Sequence, residues 1–129
     1  MAIQLSVVLR TNRASQIEST IGVSPSLLIF SGAVAANCAA ADPTGLLATI
    51  VLPADWASQA SGVSSLLGTW SAAASAAGVA LSFRIKAAAV CHMQGTVGQG
   101  AGDLSLNNTN IASGQTVTVT QFDLTEPNA

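Results

Sequence analysis

The chain carries very little charge. Of its 129 residues four are basic and six acidic, 8% in all with a formal net charge of −2, where an ordinary soluble domain has about 25%. The cations are Arg10, Arg13, Arg84 and Lys86; the anions are Glu18, Asp42, Asp55, Asp103, Asp123 and Glu126. A freely diffusing domain keeps a charged surface against association, so the polar surface here must consist mostly of Ser, Thr, Asn, Gln and Gly. Those groups leave water at a protein contact more readily than ions do, and Lys and Glu are residues that interfaces shed. The deficit therefore predicts a surface made to be covered by other protein, copies of the same chain included, with a secreted or small-residue-rich domain that tolerates low charge as the alternative. It also excludes nucleic acid as a partner, because four scattered cations make no clustered positive field.

Long apolar runs are missing as well. Mean hydropathy is +0.53, and residues 56–83 hold no charge, yet that stretch is full of Ser, Gly and Thr and its apolar part is largely Ala. No run of about 18 strongly apolar residues exists, so no membrane-spanning helix is expected. At the N-terminus the apolar residues precede Arg10, the reverse of a signal peptide, so no export signal is read. There are two cysteines, Cys38 and Cys91. A disulfide between them is arithmetically possible, but without an export signal the expectation is cytoplasmic synthesis and free, buried thiols.

What is present divides into residues 1–22, an N-terminal helical arm, and residues 23–129, a β domain. Leu5, Leu9, Ile17 and Ile21 recur at helical spacing with Val8 and Ala14 on or near the stripe, and Gly22 is a ready C-cap. The pattern predicts a helix over about residues 7–21. After Pro25 short apolar runs alternate with turn residues. Residues 27–30 and 46–52 are continuous apolar runs, expected to be buried on both faces or by a neighbour, with Pro53 ending the second. Residues 78–86 alternate strictly: Val79, Leu81, Phe83 and Ile85 inward, and Ala80, Ser82, Arg84 and Lys86 on a wet outer face. In residues 90–97 Cys91 and Met93 share one face, with His92 on the other. Residues 115–125 alternate with a phase change that a β-bulge near Thr120–Gln121 would correct. Residues 72–77 fit either a helical turn or a loop. Six or seven short strands with regular turn signals describe a mainly β fold: a β-sandwich, jelly-roll or immunoglobulin-like, with an N-terminal α-helix.

No constellation for chemistry emerges. Adjacent strand residues face opposite ways, so Cys91 and His92 form no nucleophile–base pair, and too few further ligands exist for a metal. Residues 95–102 are glycine-rich but lack the Lys-Ser/Thr and helix of a phosphate loop, and read as a mobile hairpin connection. The carboxylates show no pairing for acid–base work, and Asp42 and Asp103 suit turns. Catalytic, metal and cofactor residues are thus expected to be none. An enzyme would need a site composed between subunits. Asp55 could cap a short helix that places Trp56 in its first turn. Trp56 and Trp70 are read as packing the sandwich ends, with an exposed Trp56 anchoring a partner as the functional alternative.

Six segments together carry a resemblance: Ile17-Glu-Ser-Thr-Ile-Gly22, Asn37-Cys-Ala-Ala-Ala-Asp42, Ala48-Thr-Ile-Val-Leu-Pro-Ala-Asp-Trp56, Phe83-Arg-Ile85, Cys91-His-Met-Gln-Gly-Thr-Val97 and Gly102-Asp-Leu-Ser-Leu-Asn-Asn-Thr109. The chain resembles small uncharacterised virion structural proteins of tailed bacteriophages across almost its whole length. That resemblance implies a virion location after synthesis in the host cytoplasm, and no catalytic residue. The leading expectation is a capsid decoration or cement protein that binds the major capsid protein or other virion proteins, as a homo-oligomer. Arg10 and Arg13 would reach an acidic neighbour from the helical arm. The alternatives are a tail, neck or host-recognition component, and a fimbrial or adhesin-type subunit.

Overall fold

The computed structural model describes residues 3–127. Its elements are one helix, α1 (Val7–Ile21), and eleven strands: β1 (Ser26–Phe30), β2 (Leu46–Val51), β3 (Ala57–Ala60), β4 (Val63–Leu66), β5 (Ser71–Ala73), β6 (Gly78–Val79), β7 (Ser82–Ala87), β8 (Val90–Gly98), β9 (Leu104–Leu106), β10 (Asn110–Ile111) and β11 (Thr116–Thr125). The fold is mainly β with an N-terminal helix. Strands run in the order β2-β1-β7-β8-β9-β11-β4-β3, with β5 beside the first part of β11 and β6 paired separately with β10. Neighbours are antiparallel except β8 and β9, which meet in parallel over two residue pairs, Val97–Leu104 and Gly98–Ser105. Residues of both halves of this order, β2-β1-β7-β8 and β9-β11-β4-β3, share one core cluster, so the sheet curls and its halves act as facing layers. This is a sandwich-like arrangement whose layers belong to one continuous sheet.

The core lies between the layers. Leu27, Ile29, Ile50, Phe83 and Ile85 from one side meet Trp56, Trp70, Val117, Val119 and Phe122 from the other. Trp70 sits at the centre, 6.1 Å from the Trp56 ring and 5.3 Å from Phe122, while Phe83 meets Phe122 edge-on. Both indole N–H groups donate to carbonyls, Trp56 to Gly22 and Trp70 to Leu67, so neither ring buries an unpaired donor. The β11 register shifts between Val119 and Gln121, which returns Phe122 to the core face that Val117 and Val119 occupy. That is the bulge the alternation predicted.

The helix begins at Ser6, whose side chain accepts from the Leu9 N–H, and ends at Gly22 with φ of 93°. Its buried face is Arg10, Ala14 and Ile21 with Ile17 partly covered, so the stripe is turned from the expected one: Val8 is 70% exposed and Leu9 about half. It is no free arm. It packs on β3 and β4, and Glu18 Oε2 accepts the Ala57 N–H at 2.8 Å. An edge strand that would otherwise offer unpaired N–H groups is thereby closed.

Several local expectations are corrected. Residues 78–86 are not one strand. The segment breaks after Val79, which pairs with β10, and the phase slips, leaving Val79 and Leu81 about half exposed and Ala80 buried. Residues 46–52 are not covered on both sides, since Leu46 and Val51 point outward from β2. Asp55 starts no helix, and residues 71–73 form β5. The glycine-rich connection is no hairpin: a tight loop returns β9 parallel to the end of β8. A Cβ on Gly98 would strike the Ala101 carbonyl, and Gly102 holds a φ of +82°. Asp103 closes this loop by accepting from the Thr96 N–H and hydroxyl.

Candidate interaction surface

The three residues expected to contact a partner do not come together. Trp56 is 1% exposed inside the core, so the exposed-anchor reading of this residue is corrected, and its burial supports the packing reading. Arg10 is also buried. Its Nε and Nη2 donate to the Glu126 carbonyl at 3.2 and 3.1 Å. Arg13, half exposed, bonds the Glu126 carboxylate at 3.2 Å. The two arginines clamp the start of the helix to the end of β11. They face the chain's own terminus instead of an acidic neighbour, because helix docking brings a buried glutamate to them.

The other two cations, Arg84 and Lys86, lie on β7, beneath a flap. The β1–β2 connection continues the hairpin for two bonds, Ser31 N–H to Gly45 and Gly32 N–H to Thr44. It then opens into residues 33–43, which fold over the outer face of β7 and β8. Strand alternation sends Phe83 and Ile85 inward and Arg84 outward, as predicted, but Arg84 is 2% exposed because the flap covers it. Its Nη1 donates to the Ala40 carbonyl and Asp42 Oδ1, and its Nη2 to the Asn37 carbonyl and Gln94, all at 3.0–3.1 Å. Gln94 in turn donates to the Ala35 carbonyl at 2.8 Å. Lys86 Nζ reaches Asp42 Oδ2 at 2.8 Å. That bond, more than its partial burial opposes, holds the Asp42 carboxyl below the ordinary aspartate value; Arg84 adds to the effect.

Cys38 and Cys91 form a disulfide across this site, with Cα atoms 5.3 Å apart. The expectation of free thiols is overturned. The reason is a second bulge: Ile85 pairs with Met93 but Lys86 pairs with Cys91, so His92 is the extra residue. The bulge turns Cys91 away from the Met93 face toward the flap, directly beneath Cys38. His92 lines a separate open groove of about 450 Å³ with Arg13, Ile17 and Glu126. Cys91 and His92 thus line different grooves and do not pair as nucleophile and base in this structure. Among the described residues, no three His, Cys, Asp or Glu side chains converge, and no helix is long and apolar enough to cross a membrane.

The surface that remains follows from this arrangement. All four cations make contacts within the chain, and Glu18 and Asp103 accept hydrogen bonds from its backbone. Meanwhile large aliphatic side chains face solvent at the helix start (Val7, Val8, Leu9), on β2 (Leu46, Val51) and beside β7 and β8 (Leu81, Val90). Three of the segments quoted for the resemblance, around Asn37–Asp42, Arg84 and Cys91–Gln94, meet at the flap. Composition did not point there. A signal was available, since an arginine inside a strand of a chain with so few charges needs an anionic partner, and Asp42 is one of six. The sequence matches no family model, no curated protein and no solved structure.

Proposed function

We propose that the chain is a structural subunit of a virion, a capsid decoration protein or another head-surface component, that acts by protein–protein contact with the shell and with its own copies. One observation carries this reading: every cation is engaged inside the chain while large aliphatics remain outside. Such a surface gains little from ionic steering and much from burial of apolar and hydroxyl-bearing area. Repetition over a shell multiplies a modest contact energy per copy into particle stability. The contact elements are the exposed aliphatic positions, not the Arg10–Arg13 pair. Quantitative mass spectrometry of purified virions tests the assignment. Hundreds of copies per particle are expected; a handful would move the chain to the tail or neck, and absence would overturn the virion reading.

The disulfide favours one second reading, a fimbrial or adhesin-type subunit, because a disulfide persists in oxidising compartments. Recovery of the chain from sheared cell-surface fibres, and not from virions, would select it.

A further inference from the structure

We propose that the Cys38–Cys91 disulfide is a redox latch that holds residues 33–43 against the sheet, and that its reduction releases this flap while the sandwich stays folded. The flap differs from the rest of the chain in how it is held. No residue between 31 and 45 belongs to the apolar core, so its docking rests on the sulfur bridge and on polar bonds to Arg84, Gln94 and Lys86. Water replaces these bonds on release, which leaves each a net contribution well below its gross strength. Asn37, Ala39, Ala41 and Asp42 are exposed to solvent, and Cys38 and Cys91 line an open groove of about 540 Å³ beside the bridge. A small thiol can therefore reach the sulfurs without unfolding the core.

The exchange balances with glutathione as the redox partner. A glutathione thiolate attacks one sulfur, forms a mixed disulfide and expels the other cysteine as thiolate, which takes a proton from water. A second glutathione thiolate attacks the glutathione sulfur of the mixed disulfide and expels the second cysteine as thiolate, which also takes a proton from water, leaving two protein thiols and one glutathione disulfide. Closure is the reverse: the protein thiols are oxidised to the bridge as glutathione disulfide is reduced to two glutathione molecules. Release uncovers Arg84 and Gln94 on the outer face of β7 and β8. The chain thus has two surfaces, one presented when latched and one when reduced. The inference rests on the chain's own geometry and is independent of the virion assignment.

Limited proteolysis with elastase tests it, because the flap is rich in alanine and residues 71–77 provide an alanine-rich control in the same molecule. The protein is compared as oxidised, as reduced with glutathione, and as the Cys38→Ser, Cys91→Ser double variant. Cleavage within 33–43 is expected to rise at least about tenfold on reduction, with cleavage at 71–77 and tryptophan emission unchanged. Addition of glutathione disulfide to the uncut reduced protein should restore resistance. Equal flap cleavage in both states would overturn the latch, and so would a matching rise at 71–77 with a shifted emission, which would mean that flap and core loosen as one unit. If the double variant fails to fold, the reduced wild-type protein decides between these outcomes.

Discussion

The interior of the sandwich and the flap on its outer face are two solutions to holding a chain segment in place. Between the layers, Trp56, Trp70, Phe83 and Phe122 interlock with aliphatic side chains from both halves of the sheet. Hydrophobic burial there is distributed over many contacts, so no single one is indispensable and the whole melts cooperatively. The flap has no share in that core. It is fixed by one arginine with four acceptors, one glutamine that donates to the Ala35 carbonyl, one lysine–aspartate pair and one covalent bridge. Such a region can come loose alone. Two parts of one small domain held so differently should open at different free energies.

Substitutions separate the two regimes. Trp70→Ala removes the largest ring at the centre of the core and should cost about 3–5 kcal/mol of global stability. Chemical denaturation followed by near-ultraviolet circular dichroism reads this, and a loss of flap docking alone would contradict the layered account. Arg84→Met should cost about 2–3 kcal/mol, since it leaves the Asn37 and Ala40 carbonyls covered without a donor. Its mark is a flap that elastase cuts faster while tryptophan emission stays native. An equal response of core and flap would erase the distinction.

Smaller changes sharpen the comparison at the edges. Glu18→Ala strips the acceptor from the Ala57 N–H on β3 and should cost about 1–2 kcal/mol, with faster amide exchange confined to β3. Arg13→Ala, which leaves the buried Glu126 carboxylate without its cation, should cost about 1–2 kcal/mol and leave self-association unchanged. A loss of association in that variant would restore the cationic-arm reading. Acid gives the last test. The Asp42 carboxyl is held below its ordinary value in the fold, so its contribution is complete above the ordinary aspartate range and disappears as pH falls through the lowered value. An NMR titration of the Asp42 carboxyl carbon should give a midpoint below that of a free aspartate, with flap signals shifting at the same pH.

How far the sequence could be read follows the same division. The helix bounds, the Gly22 cap, the inward Phe83 and Ile85 and the bulge in β11 were legible, because each depends on neighbours within a few residues and on the period of the element. Val79 and Leu81 were not, since the break after Val79 depends on pairing with Asn110 and Ile111, some thirty residues away. Burial of Arg84 and the bridge between Cys38 and Cys91 escaped for a similar reason. Alternation says which face a side chain takes, but not that a distant loop will fold over that face. Arg10 and Arg13 were correctly placed on a helix and wrongly aimed, because their partner, Glu126, comes from the far end of the chain.

The central claim is that this sparsely charged exterior is made for contact with other protein. Sedimentation velocity of the purified, oxidised chain over a wide concentration series, at low and at high salt, tests it most directly. Reversible association that persists or strengthens at high salt is the predicted result. A monomer at every concentration, or association that salt abolishes, would contradict it.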